Sequence, residues 1–273
     1  MTSLYIFVTS ERPDQYLNSI AHCLMEEGIR RIVFLHVRGA APSENQTNSG
    51  KGISLSVFRR VQILMEGLAE GEYRHSIGNK AGETQALARV YPPERIGEIA
   101  KLYKHCLGID AKWLHQDVAY LDLRKELRRI RKEEPGSILD VTAVSKSLLG
   151  DIIASSIIEG IHRIYTFDLK KKPDFNSPWT MLYHDLQQSE SGKREYDYVN
   201  IVETAVFREC ARSILVRTPS LVSSVVAAVT FLFLALIVYF ISGEGNRLVQ
   251  ATFVASAVAG LFSLYFNFFP PRR

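Results

Sequence analysis

Two short stretches of the chain combine hydroxyl groups, a cation and the start of a helical pattern: Thr9-Ser10-Glu11-Arg12-Pro13 and Thr142-Ala143-Val144-Ser145-Lys146-Ser147. Hydroxyls beside a guanidinium or an ammonium are the groups that hold a phosphate, and a helix N-terminus adds unpaired N–H groups and positive potential. Thr9, Ser10, Arg12, Thr142, Ser145 and Lys146 are therefore the candidate ligand-binding residues. Taken singly, Ser10 and Ser145 read as ordinary helix caps. Two such loops, each with its own cation, bring the phosphate reading level with capping.

Other chemistry finds less support. Asn45 to Gly52 resembles a phosphate-binding loop only at Gly50-Lys51: the first glycine of that pattern is missing and Gly52 stands where a hydroxyl is required. The seven histidines have no i, i+4 pair and no cysteine partner at zinc spacing, so neither a metal nor any other cofactor is expected. Ser145-Lys146 could be a nucleophile and its base, but neighbours at a strand-to-helix turn usually diverge, and no oxyanion partner is readable. No catalytic residue is assigned. The basic run Arg124, Lys125, Arg128, Arg129, Arg131, Lys132 is interspersed with glutamates and reads as a solvated helix face, and Lys170-Lys171-Lys172 as a charged turn.

The elements that must position these loops follow from periodicity. Leu4 to Thr9 is an apolar strand, Pro13 to Glu27 a helix and Arg31 to Val37 a second strand, which makes one βαβ unit. Helices are expected at Ile53 to Glu70 and Glu94 to Leu107, with a short strand at Ala111 to Leu114. A charged helix at Leu121 to Glu134, a strand at Ser137 to Val141, a helix at Ser147 to Gly160 and a strand at Arg163 to Phe167 make a second unit. The fold class is α/β: a Rossmann-like, mainly parallel sheet with helices on both faces, whose ligands bind beyond the carboxyl ends of the strands. Thr180 to Leu186 and Glu195 to Val199 flank a polar turn and read as a C-terminal hairpin that closes the domain near residue 200.

The stretch Ile138-Leu139-Asp140-Val141-Thr142-Ala143-Val144-Ser145-Lys146 resembles the fourth-strand motif of CARF-like domains, the Rossmann-like sensors of cyclic oligonucleotides in CRISPR and related antiphage systems. The opening Leu4 to Ser10 followed by a helix resembles their first strand and ligand loop. The likeness covers residues 1 to 170 in layout, with Ala143-Val144 where the family usually carries a glycine-rich turn. It implies a cyclic nucleotide ligand lined by Thr9, Ser10, Thr142, Ser145 and Lys146, and a homodimer or higher oligomer that brings two pockets together.

Charge is unevenly spread along the 273 residues. Of 62 charged side chains, 58 lie in the first 217 residues; from Thr218 onward only Glu244, Arg247, Arg272 and Arg273 are charged. Leu221 to Ile241 and Leu248 to Phe269 carry no charge and are each long enough to cross the roughly 30 Å hydrocarbon core as a helix. They read as a transmembrane hairpin (221–241, 248–269) in the lipid bilayer, joined to the soluble domain by a connecting helix over 201–217. Arg208, Arg212 and Arg217 before the first span and Arg272 and Arg273 after the second predict a cytoplasmic N-terminal domain and C-terminus at the bacterial inner membrane. Neither span holds an acidic, basic or histidine side chain, which argues against a transport path. With 33 Lys and Arg against 29 Asp and Glu, a long nucleic acid is not an expected partner.

The functional expectation is a membrane effector in antiphage defence. A cytosolic domain senses a cyclic nucleotide and the hairpins respond by oligomerising or rearranging. The alternatives are a membrane-anchored enzyme on nucleotides or phosphodiesters with Ser10, Glu11 and Lys146 as its reactive set, and a non-catalytic membrane docking module.

Overall fold

Every side chain of strand β1 (Ser3–Phe7) is buried, so both of its faces need cover. A computed structural model of the chain, which describes residues 2–39, 53–76, 81–187, 193–205, 207–209, 229, 230 and 233, supplies it. β1 pairs in parallel with β2 (Arg31–Arg38) on one side and β6 (Ile138–Asp140) on the other. β5 (Lys112–Ala119) extends the sheet beyond β2 and β7 (Ile164–Leu169) beyond β6, both in parallel. β8 (Tyr196–Asn200) closes the far edge antiparallel to β7, which gives the order β5-β2-β1-β6-β7-β8. A separate antiparallel pair is formed by β3 (Glu72–Arg74) and β4 (Thr84–Ala86).

Alternation along β1 divides the core. Leu4, Ile6 and Val8 face α1 (Asp14–Glu26), α2 (Ile53–Ala69) and α3 (Pro93–Gly108), while Tyr5 and Phe7 face α4 (Leu123–Glu133) and α5 (Lys146–Ile158). The sheet part of the expected fold is thus present: a mainly parallel Rossmann-like sheet with helices on both faces. α1 closes at Gly28, whose φ of +62° is the left-handed conformation that stops a helix cheaply only at glycine.

Three expectations need correction. Thr180 to Leu186 is not a strand: Pro178–Met181 forms a 3₁₀ turn and α6 (Tyr183–Leu186) follows it. Leu182, Tyr183 and Leu186 are buried at helical spacing, and Tyr183 and Leu186 pack with Ala21 of α1, so β8 takes β7 as its hairpin partner instead. The strand expected at Ala111 to Leu114 is β5, twice that length, because it pairs with β2 along its whole length through residues as polar as His115, Gln116 and Asp117. The basic run on α4 is not simply solvated. Arg124 and Arg128 both donate to the buried carboxylate of Glu159 beyond the end of α5, at 2.5 and 2.8 Å, and Arg131 donates to the Glu159 carbonyl. Lys170 and Lys171 pair with Asp197 and Glu195 across the β7–β8 edge.

The chain divides after Glu203 into two units. Ile201–Glu203 is a 3₁₀ turn, and residues 205 and 207–209 are helical, with the Arg208 amide donating to the Thr204 carbonyl. The rest of the expected connecting helix, the span 248–269, and the span 221–241 apart from Val229, Thr230 and Phe233 lie outside the described residues. Those three are helical, and Val229 and Phe233 are 61% and 66% exposed. Among the described residues, no helix is long and apolar enough to cross a membrane.

Candidate functional site

The sheet order reverses between β1 and β6: the chain leaves β1 over one face toward β2 and leaves β6 over the other toward β7. In open parallel sheets that reversal opens a crevice at the carboxyl ends of the two strands, where ligands bind. Both sequence-predicted loops end up there. Thr9 ties them together: its hydroxyl donates to the Ala143 carbonyl at 2.5 Å and accepts the Ser145 amide at 3.0 Å. A single side chain after β1 thereby fixes the position from which α5 starts.

Thr142 is anchored from below. Its hydroxyl donates to the Asp140 carboxylate at 3.0 Å, accepts the Phe167 amide at 2.8 Å, and lies 3.3 Å from the Ser19 hydroxyl, while its amide donates to Asp140 at 3.1 Å. Asp140 is completely buried and also accepts the Tyr198 hydroxyl of β8 at 2.9 Å. Burial pushes its carboxyl up against the pull of these donors. The network therefore runs from the ligand-side loop, through Asp140, to the last strand before the end of the first unit. Tyr16 does the same work under the other loop. It donates to the Ser10 carbonyl at 2.7 Å and accepts the Ser10 amide at 2.9 Å, and burial pushes its hydroxyl up to about 12.

With Thr9 and Thr142 engaged in positioning, the groups left open are different ones. Ser145 occupies the N-cap position of α5, yet its hydroxyl makes no cap bond and meets the Ser147 hydroxyl at 3.2 Å. The capping reading fails for Ser145: no side chain caps α5, and the Leu148 and Leu149 amides donate to the Ser145 carbonyl. Ser10 accepts the Arg12 amide at 3.3 Å, a local turn rather than a helix cap. Lys146 and Arg12 are exposed, and neither forms a salt bridge among the described residues, although Arg12 is near enough to Asp14 to pull its carboxyl down. Glu11 is held by Arg60 at 3.0 Å, which leaves the proposed reactive set Ser10, Glu11 and Lys146 without a free acid or base pair. No cluster of potential metal ligands occurs among the described residues.

Beside the crevice, at the N-terminus of α1, lies a cavity of about 280 Å³ lined by Arg12, Pro13, Asp14, Tyr73, His75, Ser76, Phe175 and Pro178. Phe175 is 72% exposed on its rim. Tyr73, His75 and Trp179 meet edge to face with centroids 4.9 to 6.4 Å apart. Burial pushes the Asp14 carboxyl up, while its own amide, the Arg12 guanidinium and the Gln15 amide pull it down. Of the six sequence-predicted residues, Arg12 alone belongs to this cavity. Ser19, Asp140, Tyr198 and the cavity residues other than Arg12 were not among the predicted ones. Asp140 lay within the quoted motif, and the exposed Phe175 between Asp174 and Asn176 was a visible signal; Tyr73 and His75, on a three-residue strand and just after it, offered none.

No family model matches the chain, and no curated protein does. Among solved structures the chain is similar to Enterococcus italicus Csm6, solved bound to cyclic hexa-2'-fluoro-hexa-dAMP, at 10% identity with a TM-score of 0.40. The alignment covers 100% of this chain and 59% of that one, so the chain spans less than two thirds of that protein's length.

Proposed function

We propose that the chain is a CARF-like receptor for a cyclic oligonucleotide whose occupancy is passed to a C-terminal transmembrane hairpin. The observation that carries this reading is the Thr9 clasp, which holds the uncapped N-terminus of α5, with Lys146, against the β1 loop at the reversal point of the sheet. Fixed amide and hydroxyl donors beside open cations form a site for phosphodiester oxygens. Several phosphates gripped at once can supply the roughly 5.5 kcal/mol of differential affinity needed to move a population from 1:99 to 99:1.

The route to the tail starts at Thr142 and passes through Asp140 to Tyr198 on β8, two residues before Asn200. Asn200 accepts the amides of Ile164 and Val202 and donates to Glu203, so displacement of the loop is felt where the first unit ends. A second copy of the chain is the expected partner. Gly150, Ala154 and Ile158 follow one another along the exposed side of α5, and Leu121, 92% exposed, borders it through the Tyr120 to Asp151 hydrogen bond. In this reading the sheet domain and C-terminus are cytoplasmic, the uncharged spans 221–241 and 248–269 lie in the inner membrane, and ligand binding rearranges or oligomerises them to perturb it in antiphage defence.

Thermal unfolding of the detergent-solubilised full chain with cyclic di-, tri- and tetranucleotides tests the receptor. Ligand at a hundredfold excess over its Kd stabilises by about 2.7 kcal/mol. Toxicity on expression, compared with a chain whose two spans are replaced by a soluble tag, tests the effector; toxicity retained without the spans refutes it.

A further inference from the structure

We propose that the amino-terminal end of the sheet, opposite the crevice, is a docking surface for the anionic headgroups of a lipid bilayer. This rests on the membrane reading of the tail and adds to it which face of the domain meets the lipid. β8 runs antiparallel to β7, so the chain leaves the sheet where the parallel strands begin: Asn200 lies opposite Tyr165 and donates to the His162 carbonyl. Only residues 204–217 separate the end of the first unit from the charge-free run that starts at Thr218, at most about 50 Å of fully extended chain and about 21 Å as a helix. A tether of that length keeps this end of the sheet within reach of a bilayer that the tail spans, and leaves the crevice open on the far side.

The surface has the composition such a contact needs. Arg30 precedes β2 and Lys112 begins β5, side by side because the Lys112 amide donates to the Arg30 carbonyl at 2.9 Å; Lys104 and Lys132 lie near the ends of α3 and α4. All four are exposed, and none forms a salt bridge among the described residues. The acids at the same end are mostly neutralised. Glu27 is held by Arg163 at 2.8 Å, Glu133 by Arg129 at 2.6 Å, Glu134 by Arg31 and Glu159 by Arg128, which leaves Asp110 and Glu203 without a salt bridge among the described residues. Lys104 and Lys132 also complement the negative ends of their helices, a role that Arg30 and Lys112, at strand starts, do not have. Met25 and Leu107 are exposed near the ends of α1 and α3, on the same rim. Apolar side chains among lysines and arginines suit the headgroup boundary, where each cation near an anionic surface is worth about fivefold in binding.

Flotation of the full chain with vesicles of phosphatidylcholine, with or without phosphatidylserine, followed by hydrogen exchange on the floated protein, tests this. The chain is expected to float with both. Amides of residues 25–30 and 104–112 are expected to exchange at least about tenfold more slowly on the phosphatidylserine vesicles, a difference that high salt abolishes by screening exposed charges. Arg30→Glu and Lys112→Glu each remove about fivefold of that protection with no change in melting midpoint. Lys125→Glu, in the first turn of α4 at the opposite end, leaves it unchanged. Equal protection on the two vesicles, or protection that both reversals leave intact, overturns the docking surface and leaves the membrane-spanning reading standing. Flotation with the phosphatidylserine vesicles alone removes the membrane-spanning reading and upholds the surface, and flotation with neither overturns both.

Discussion

The molecule carries two clusters of basic side chains that look alike in composition and differ in what they face. On α4, Arg124 and Arg128 converge on one buried carboxylate, Glu159, and Arg129 takes Glu126 and Glu133. At the crevice, Lys146 has no carboxylate partner among the described residues, Arg12 has only the nearby Asp14, whose carboxyl it pulls down, and no side chain caps α5. The first cluster is neutralised internally and fixes α4 to the end of α5. The second leaves its positive potential directed outward. Net charge therefore says little about binding here; what decides it is whether the fold has already supplied the counter-charge.

The sharpest way to break this contrast is to reverse one charge in each cluster. Lys146→Glu is expected to weaken phosphodiester binding by roughly a hundredfold, the loss of one charge-assisted bond plus repulsion, with no change in melting midpoint. Arg128→Glu is expected to do the opposite, lowering the midpoint by several degrees with affinity unchanged. If both variants affect only stability, the crevice cations are structural and the contrast is void.

A second test concerns the groups that hold the loops. Thr142→Val keeps shape and removes the hydroxyl shared by Asp140, Phe167 and Ser19. It leaves a buried carboxylate short of a donor and costs about 2–3 kcal/mol, read from denaturant melts of tryptophan fluorescence.

Glu159→Gln is expected to cost about 1–2 kcal/mol at neutral pH, discounted because both arginines are partly exposed. The hydrogen bonds from Arg128 and Arg124 hold the Glu159 carboxyl at about 2, below its ordinary 4.5. The native state thus binds fewer protons than the unfolded chain between these values. The gap between wild type and variant stays full above pH 4.5 and closes as pH falls toward 2. The smallest effect belongs to Thr9→Val, about 1 kcal/mol in stability because the residue is exposed, with a five- to tenfold loss of affinity from the unclasped loop, about the worth of one hydrogen bond.

The sheet was legible in the chain because β1, β2 and β6 are short apolar runs bounded by helix signals, and a fully buried parallel strand leaves no other pattern. The crevice was legible for the same reason: strand ends and helix starts give the loops, and the loops contain the hydroxyls. Individual roles were not. Thr9 and Thr142 have the right chemistry for a ligand, yet their bonds go to Ala143, Ser145, Asp140 and Phe167, partners brought within reach only by the adjacency of β1, β6 and β7. The cavity was hidden for a further reason. Its walls come from Tyr73 and His75 beside a three-residue strand and from a 3₁₀ turn at Pro178, elements too short to show a period.

Calorimetric titration of the full chain in detergent micelles with cyclic di-, tri- and tetranucleotides, wild type beside Lys146→Glu, is the most direct measurement. A receptor built on the β1–β6 crevice gives saturable binding for at least one of these rings and loses it in the variant. Absence of binding by every ring to a protein that still unfolds cooperatively, or binding that Lys146→Glu leaves intact, contradicts it.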